Sequence, residues 1–509
     1  MSAFFNNKDR RVIPNFRSLS QTISLGELDS LKSSGNIRNN PDLTAYSDDF
    51  NKFRTLAHAS DLLSANISNN FYNNNSANEA AKFILKNEIF ATKIQINTSL
   101  KYLKENVNPS DDSEVYNVSD FLKQYRKEII FDKIRNLKFN IKQFGPNPFY
   151  FSELGRLFSL IGQEIYAIKN ISIAKHLLPT NRYILRSYSR LMAHYGDIDA
   201  AHDSLRKNTS TKYDPWLLAS EIAFSTLRNK QSNFIKIGIS SLTSSKFLPH
   251  TLSELASSIG TVELINGNRK KSRMFFENAL ISPNGNSIAQ VEWANNKANL
   301  FQFDLTRYSN LNVAEANTLD AYNTQNWDKA VVNAEKWFID MPFAKRPIMF
   351  GHHVSSFFLE DHATAIEFCK AGLIANPEDP LIINNISYSY AMLNDTKTAR
   401  NFIGSININN IDSKEVKVCL IATSGLIAYK EKKFSEGRQL YLKAMDEAKN
   451  NGLSFLYNLA LTYLTLEESK INSEFANIFF EQVNKIIDTK NIELIHMKKK
   501  ITIIRSTSL

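Results

Sequence analysis

The chain has 509 residues, 43% of them hydrophobic and 22% charged, which is the composition of an ordinary soluble globular protein. No apolar run approaches the roughly 20 residues that span a bilayer, which excludes a membrane-spanning protein. The net charge of +10 is spread along the chain and mainly favours solubility, with a mild attraction for acidic proteins or nucleic acid.

Residues 1–50 are polar, rich in Asn and Ser, and carry Arg10, Arg11, Arg17 and Arg38. Their hydrophobic periodicity is weak, which predicts an extended basic arm with at most one short helix. Such an arm either packs on the body of the protein or reaches a partner.

Residues 51–147 predict an N-terminal helical region. Apolar residues recur at helical spacing over about 49–67, 77–104 and 120–144, and polar, Asn-rich loops separate these three stretches. The third helix is predicted to end at Gly145 and Pro146, since both residues terminate helices.

From residue 148 onward, one spacing recurs. An Ala is followed twelve residues later by a Pro at Ala167–Pro179, Ala330–Pro342 and Ala365–Pro377, with a helical stretch between the two. A repeated helix hairpin cannot bury its apolar faces alone, so we expect the hairpins to stack into a solenoid with a long groove.

The first unit resembles the tetratricopeptide repeat (TPR) at all eight signature positions. Counted from Pro148, these are positions 4, 7, 8, 11, 20, 24, 27 and 32, occupied by Phe151, Leu154, Gly155, Phe158, Ala167, Ile171, Ala174 and Pro179. Weaker copies follow, giving eight or nine units over 148–509 with an irregular helical insert at about 284–310. The resemblance implies an all-α fold, a right-handed α-solenoid of TPR-like helix-turn-helix repeats, preceded by the N-terminal helical region and the arm.

The resemblance also implies that the first helix of each hairpin lines a concave groove. It places Arg156, Arg186 and Arg190 on the wall of this groove. Arg182 shares a helix face with Arg186 and Arg190 because the three are four residues apart. Guanidinium groups bind carboxylates and phosphates, so this patch predicts a site for an acidic peptide or a phosphate backbone. The alternative is a solvated face with local salt bridges.

Asn384 and Asn385 occupy positions 5 and 6 of a later unit. In arrays of this family an Asn at this place binds the backbone of an extended peptide, so the resemblance implies a second contact with the partner. The alternative is a simple polar pair on the surface.

Segment 121–142 contains seven Lys or Arg residues and two acidic residues, interleaved with aromatic residues. Such a helix can bind nucleic acid by neutralising phosphates and stacking on bases. The spacing of Phe121, Tyr125, Phe131 and Phe139 instead indicates burial and a structural helix with a solvated basic side. The candidate nucleic-acid-binding residues are Lys123, Arg126, Lys127, Lys133 and Arg135.

No motif indicates catalysis, a cofactor or a metal. His352, His353, Asp361 and His362 form the only cluster of metal-ligating residue types, and adjacent histidines on a helix point in different directions. Phosphate-binding glycine loops, nucleophile elbows and Cys–His pairs are absent from the sequence.

Cys369 and Cys419 lie within apolar helical patterns, which is typical of buried thiols in a reducing compartment. The N-terminus lacks the apolar core of a signal peptide. We therefore expect a non-catalytic cytoplasmic adaptor that binds a segment of a partner protein in the groove, as a subunit of a larger complex, with a bacterial stress or anti-phage assembly as one context. The alternative is a helical-repeat nucleic-acid-binding protein that uses 121–142 and Arg182–Arg190.

Overall fold

The computed structural model describes residues 10–17, 43–68, 75–105, 118–119, 122, 127–244, 246–308, 311–485 and 491–507, and these residues are helical or irregular without any strand. Residues 10–17 are extended, and the rest form helices joined by short connections. The helices are α1 Leu43–Phe53, α2 Leu56–Ser68, α3 Asn75–Lys86, α4 Lys93–Glu105, α5 Lys127–Phe144, α6 Pro148–Leu160, α7 Glu164–Leu177, α8 Arg182–His194, α9 Ile198–Arg206, α10 Pro215–Leu227, α11 Ile235–Thr243, α12 Pro249–Ile265, α13 Arg269–Ala279, α14 Gly285–Ala298, α15 Ala314–Asn323, α16 Trp327–Asp340, α17 Lys345–His353, α18 His362–Ala375, α19 Pro380–Met392, α20 Thr396–Gly404, α21 Lys414–Lys430, α22 Phe434–Asn450, α23 Ser454–Lys470, α24 Ala476–Asn484 and α25 Ile492–Thr507.

Helices α1–α4 pack around a core of their own, which includes Phe50, Leu62 and Tyr102. The predicted helix over 77–104 is two helices here, α3 and α4, separated by a turn at residues 87–90. Helix α5 instead packs on α6 through Ile130 and Ile134, which belong to the core of the first hairpins. The arm and the N-terminal helical region were predicted to meet at residue 50, which lies inside α1.

Helices α6–α13 and α15–α24 pair as antiparallel hairpins, which confirms the prediction of an all-α solenoid of TPR-like units. In seven of the nine hairpins of the described chain, the turn has the same geometry: a residue with a left-handed backbone stands two positions before the second helix. It is a glycine in some hairpins and a polar residue in others. These residues are Gly162, Gly196, Gly267, Gln325, Glu360, Asn394 and Lys432.

The first hairpin shows why its signature residues are small. A Cβ atom on Gly155 of α6 would lie 3.2 Å from Cβ of Ile171 and 3.3 Å from the carbonyl oxygen of Ala167 on α7. The two helices therefore cross in near contact, and a larger residue at 155 would push them apart. Asn147 begins α6 by accepting a hydrogen bond from the backbone N–H of Phe149 at 2.9 Å.

The predicted irregular insert at 284–310 contains one regular helix, α14. Asn284 and Ser287 form a reciprocal capping box at its start, and residues 286–294 are buried between the neighbouring helices. Helix α14 has no hairpin partner of its own, because an irregular connection with a short 3₁₀ turn at Leu305–Tyr308 leads directly into α15.

The solenoid closes on itself after about five units. A Cβ atom on Gly162, in the α6–α7 turn, would lie 2.9 Å from the Pro377 ring in the α18–α19 turn. The ring centroids of His194 and Phe343 are 5.0 Å apart at the same junction. The first hairpins therefore contact a unit about 200 residues further on, and the groove they line is enclosed.

Helix α25 returns from the last hairpin to first helices of earlier units. Tyr322 of α15 donates a hydrogen bond to Glu493 of α25 at 2.9 Å. Lys500 of α25 forms an ion pair with Glu360 at 2.5 Å, and the His496 ring lies 5.4 Å from that of Phe357. The chain's own C-terminal helix therefore covers this part of the array.

Candidate functional site

Residues 10–17 lie as an extended peptide inside the solenoid. Residues 10, 12, 14 and 16 are buried, and the residues between them are half-buried. Alternation of this kind is what an extended strand shows when one side faces a wall. The arm predicted from the sequence therefore packs on the body of the protein, at least over these eight residues.

Arg10 anchors one end of this segment. Its guanidinium donates to both carboxylate oxygens of Glu315 at 2.9 and 3.0 Å, to Gln290 at 2.7 Å and to Asn286 at 2.8 Å. The two amides also bind the arm's backbone: Gln290 donates to the Arg10 carbonyl and Asn286 to the Ile13 carbonyl, both at 3.0 Å. Helices α14 and α15 thus bind both the side chain and the main chain of the arm.

Phe16 and Arg17 anchor the other end. The Phe16 ring is 1% exposed and lies edge-on to the rings of Tyr183 and Phe343. Arg17 donates two hydrogen bonds to Asp340, at 2.9 and 2.8 Å, and its carbonyl accepts one from the Tyr183 hydroxyl at 3.3 Å. The wall against this peptide is therefore acidic at each end and aromatic near Phe16.

Three of the four arginines predicted on the groove wall are bound to carboxylates of the chain itself. Arg156 pairs with Glu153 at 2.5 Å, and Arg182 pairs with Asp214 at 2.5 Å. The third, Arg186, donates to both oxygens of the Glu254 carboxylate on α12. Since these charges are already neutralised, the three residues do not form the open cationic patch that the sequence predicts.

Arg186 is the most firmly held of the three. It binds the buried carboxylate of Glu254 at 3.1 and 2.9 Å, the carbonyl of Trp216 at 3.1 Å and the hydroxyl of Ser220 at 3.2 Å. Its guanidinium also lies 5.0 Å from the centre of the Trp216 ring. These contacts join α8, α10 and α12, so the role that the structure gives Arg186 is to connect successive first helices.

Arg190 differs from the other three. Among the described residues, no carboxylate lies within ion-pair distance of its guanidinium, which rests 5.6 Å from the centre of the Phe343 ring. Burial, followed by the positive charge of Arg346, lowers the pKa of Arg190 to about 10. Arg190 lines a cavity of about 120 Å³ together with Arg10, Arg346 and Glu315.

Asn384 and Asn385 lie in the interior, with exposed fractions of 0% and 1%. The two amides bond to each other at 3.3 Å, and His352 of α17 contacts the Asn385 carbonyl at 3.0 Å. Met349 and His352 of α17 contact Asn385. The resemblance implies that the two residues contact a peptide in an open groove, but in the structure both are buried.

The basic helix α5 is more exposed than its spacing predicts. Lys127, Lys133 and Arg135 face solvent, and Arg135 pairs with Asp132 one turn away. Phe131 and Phe139 are 40% and 59% exposed, so the prediction that these two aromatic residues are buried is wrong. Ile130 and Ile134 form the buried stripe instead. Lys123, Arg126, Phe121 and Tyr125 lie outside the described residues.

The histidine cluster is internal. His352, His353 and His362 are all buried, and burial is the largest cause that lowers the pKa of each. In the part of the chain that the structure describes, no group of three His, Cys, Asp or Glu residues is arranged to hold a metal ion. None of its helices is long and apolar enough to cross a lipid bilayer.

The residues around the arm carry only a weak signal in the sequence. Most of them are ordinary polar residues of amphipathic helices, and Phe343 lies in the short connection between α16 and α17. Asn286 and Gln290 are four residues apart and therefore share one face of α14, but only the fold shows that this face points at the arm. The residues missed are Tyr183, Asn286, Gln290, Glu315, Asp340, Phe343 and Arg346.

Comparison with known proteins finds similarity at the level of structure. No protein-family model and no curated protein matches the sequence. Similar solved structures include yeast Tom70, with 12% identity, 77% of this chain and 94% of that chain covered and a TM-score of 0.32. Another is the APC/C hetero-tetramer Cut9–Hcn1, with 11% identity, 90% and 92% coverage and a TM-score of 0.41. A third is the TPR domain of P58(IPK), with 13% identity, 70% and 88% coverage and a TM-score of 0.22. The helix hairpins of the chain itself identify its fold as an all-α solenoid of TPR-like units.

Proposed function

We propose that this protein is a non-catalytic interaction scaffold of the cytoplasm, which binds an extended segment of a partner protein on the inner wall of its solenoid. One observation supports this most directly. The inner wall holds residues 10–17 as an extended peptide, through carbonyls, arginine side chains and one buried aromatic ring. A wall that binds its own arm in this way has the groups that recognise an extended segment of another chain.

The charges on the wall indicate the chemistry of that segment. Glu315 and Asp340 stand where the arm presents Arg10 and Arg17, and apolar residues lie between them. The partner segment that suits these positions is basic at both ends and apolar between, with an aromatic residue near its C-terminal arginine. This differs from the acidic ligand expected from the arginine pattern, since Arg156, Arg182 and Arg186 already have acidic partners.

The test is competition with the arm. A labelled peptide with the sequence RRVIPNFR is titrated against the full chain and against a variant that combines Arg10→Ala and Phe16→Ala. The variant should bind at least about tenfold more tightly, because its own arm no longer fills the wall. Adding Glu315→Lys should abolish the gain, whereas Glu277→Lys, an exposed change on α13, should leave it intact. Equal and weak binding by all variants would contradict the proposal.

Affinity purification from the native host, followed by mass spectrometry, addresses the partner itself. The arm-weakened variant should retain more of a specific protein than the unmodified chain. The same protein should be lost when Glu315→Lys is added. If arm and wall variants recover the same proteins in the same amounts, the inner wall is not the contact surface.

A second candidate function is nucleic-acid binding through α5. The exposure of Phe131 and Phe139 beside Lys133 and Arg135 favours it, because aromatic rings stack on bases while cations neutralise phosphates. A gel-shift titration with single-stranded RNA and DNA should then show an affinity that falls steeply as salt is added. Lys133→Glu with Arg135→Glu should remove binding, and Lys270→Glu with Lys271→Glu, a matched change on α13, should not. Absence of a shift at low salt would dismiss this candidate.

A further inference from the structure

The cavity beside the arm carries an excess of positive charge. It has a volume of about 120 Å³ and is lined by residues from the arm, α8, α14, α15, α16 and α17. Among the described lining residues, Arg10, Arg190 and Arg346 stand against one carboxylate, so positive charges outnumber negative ones even without Arg11. The carboxylate is that of Glu315.

The one carboxylate is already shared. Glu315 accepts hydrogen bonds from Arg10 at 2.9 Å and from Arg346 at 2.6 Å. Its single negative charge therefore offsets only one of these two positive charges. Burial raises the pKa of Glu315, but the charges of the two arginines and their hydrogen bonds outweigh this effect and lower it to about 2. Glu315 is therefore ionised at neutral pH, and its single negative charge, already paired with two arginines, offsets only part of the charge of Arg190.

Among the described residues, no carboxylate forms a direct ion pair with Arg190, although the charge of Glu315 attracts it from a greater distance. The Arg190 guanidinium lies 5.6 Å from the centre of the Phe343 ring, and the Arg346 guanidinium lies 5.2 Å from the centre of the Trp337 ring. Aromatic faces of this kind orient a guanidinium but do not cancel its charge. Beyond the effect of burial, the charge of Arg346 contributes to the lowered pKa of Arg190, and the charge of Arg10 contributes to the lowered pKa of Arg346.

Grouping like charges in a partly shielded site costs free energy unless an ion of opposite charge is bound between them. Arg190 is mostly shielded and Arg346 is half exposed, so an anion from solvent can reach both. Clusters of perturbed charges of this kind are common at binding sites. The contrast within this chain supports that interpretation, since Arg156, Arg182 and Arg186 each have a carboxylate partner at 2.9 Å or less.

We propose that this cavity binds a phosphate-type oxyanion, either free inorganic phosphate or the phosphate end of a larger ligand. The forked donors of arginine match the oxygens of such a group. A cavity needs roughly 15 Å³ to hold one water molecule. The cavity volume of about 120 Å³ is several times larger, so a tetrahedral anion fits. Because Arg10 and Arg11 belong to the arm, the bound anion connects the arm to α8 and α17.

The test is calorimetric titration of the full chain, without any partner, in a buffer low in competing anions. Inorganic phosphate should bind saturably with a dissociation constant of about 1 mM or tighter. Arg190→Gln should weaken this binding at least about tenfold, since a charge-assisted contact is lost. The matched control Arg182→Gln removes an exposed arginine of the same helix and should change the affinity less than about twofold.

Two further measurements make the outcome decisive. Titration with adenosine monophosphate distinguishes the two possible ligands. If it binds more tightly than inorganic phosphate, the cavity takes the phosphate end of a larger ligand. If it binds more weakly, the cavity takes the free anion. If Arg190→Gln does not fold, as judged by its melting curve, Arg346→Gln replaces it in the same comparison. No saturable binding of either probe at about 10 mM, or equal affinity of the variant and the unmodified chain, would overturn the proposal. Neither result depends on whether a partner peptide binds the wall.

Discussion

Arg10 and Glu315 are 305 residues apart in the sequence and form a two-point ion pair, with N–O distances of 2.9 and 3.0 Å. The side chains are 3% and 16% exposed, so this contact is well shielded from solvent. It fixes the N-terminal arm to the middle of the solenoid. The arm is therefore part of the folded wall, and any segment that takes its place must break this pair.

The first prediction concerns the pH dependence of this contact. The folded-state pKa of Glu315, about 2, is below its ordinary value of 4.5, so the carboxylate stabilises the native state fully above pH 4.5. As pH falls from 4.5 towards 2, this contribution is lost, to a total of about 3 kcal/mol. Urea unfolding should therefore show a difference between the unmodified chain and Glu315→Gln that is largest above pH 5 and smaller at pH 3. A difference independent of pH would contradict this assignment.

The second prediction concerns the other end of the arm. Phe16→Ala removes a fully buried ring, which costs about 3–5 kcal/mol when the surroundings stay in place. We expect the weakened arm to detach before the solenoid unfolds, so trypsin should cleave after Arg11 and Arg17 on the order of a hundredfold faster. The melting temperature of the rest of the chain should change little.

The control for that measurement is Phe144→Ala. Phe144 is 80% exposed at the end of α5, so its removal should leave the cleavage rate unchanged. If both variants are cut at the same rate as the unmodified chain, residues 10–17 are not held on the wall in solution.

The third prediction tests a buried ion pair at the C-terminal end of the array. Glu468 of α23 is fully buried, accepts from Arg438 at 2.7 and 3.0 Å, and also accepts from the Tyr429 hydroxyl. Glu468→Gln should lower the free energy of unfolding by about 3–5 kcal/mol, because it leaves a shielded guanidinium without its partner. Glu277→Gln breaks an exposed pair with Arg273 and should cost less than about 1 kcal/mol. Chemical denaturation of both variants makes the comparison.

The fourth prediction concerns the two thiols. Cys369 and Cys419 are buried and unpaired by disulfide, and burial raises the pKa of each, that of Cys419 to about 11. Since only the thiolate reacts readily, neither residue should be labelled by a thiol reagent at pH 7 in the native state. Both should be labelled in about 6 M guanidinium chloride, because most proteins are already unfolded at roughly 5 M. Rapid labelling of the native chain would show that these helices open readily.

Much of the fold was predictable because its determinants are local. Gly155 and Ala167 are small where two helices cross, and Pro179 lies just past the end of the second helix, so a short window of sequence specifies one hairpin. The prediction was weaker at 284–310, where α14 lies outside the regular hairpins and packs on α12 and α15. The signature positions of a hairpin cannot describe a single helix.

The candidate site was predicted less well, and Arg186 and Arg190 show why. The two residues have the same type and the same helix face, yet one binds Glu254, 68 residues away, and the other lies beside Arg346 in a cavity. Spacing along α8 cannot distinguish them, because their partners come from helices α12 and α17. Phe131 shows the same limit, since helical spacing marks it as core although its neighbours leave it exposed.

The sequence by itself determined the repeated unit: helix ends, tight turns and close crossings depend on residues within about one hairpin of each other. Only the tertiary structure decided what the inner wall contacts. The Arg10–Glu315 pair, the packing of Phe16 between Tyr183 and Phe343, and the meeting of Arg190 with Arg346 at the cavity all join residues that are more than 150 positions apart. Such contacts depend on how successive hairpins curve and close, and that curvature sums many small packing angles that no single repeat specifies.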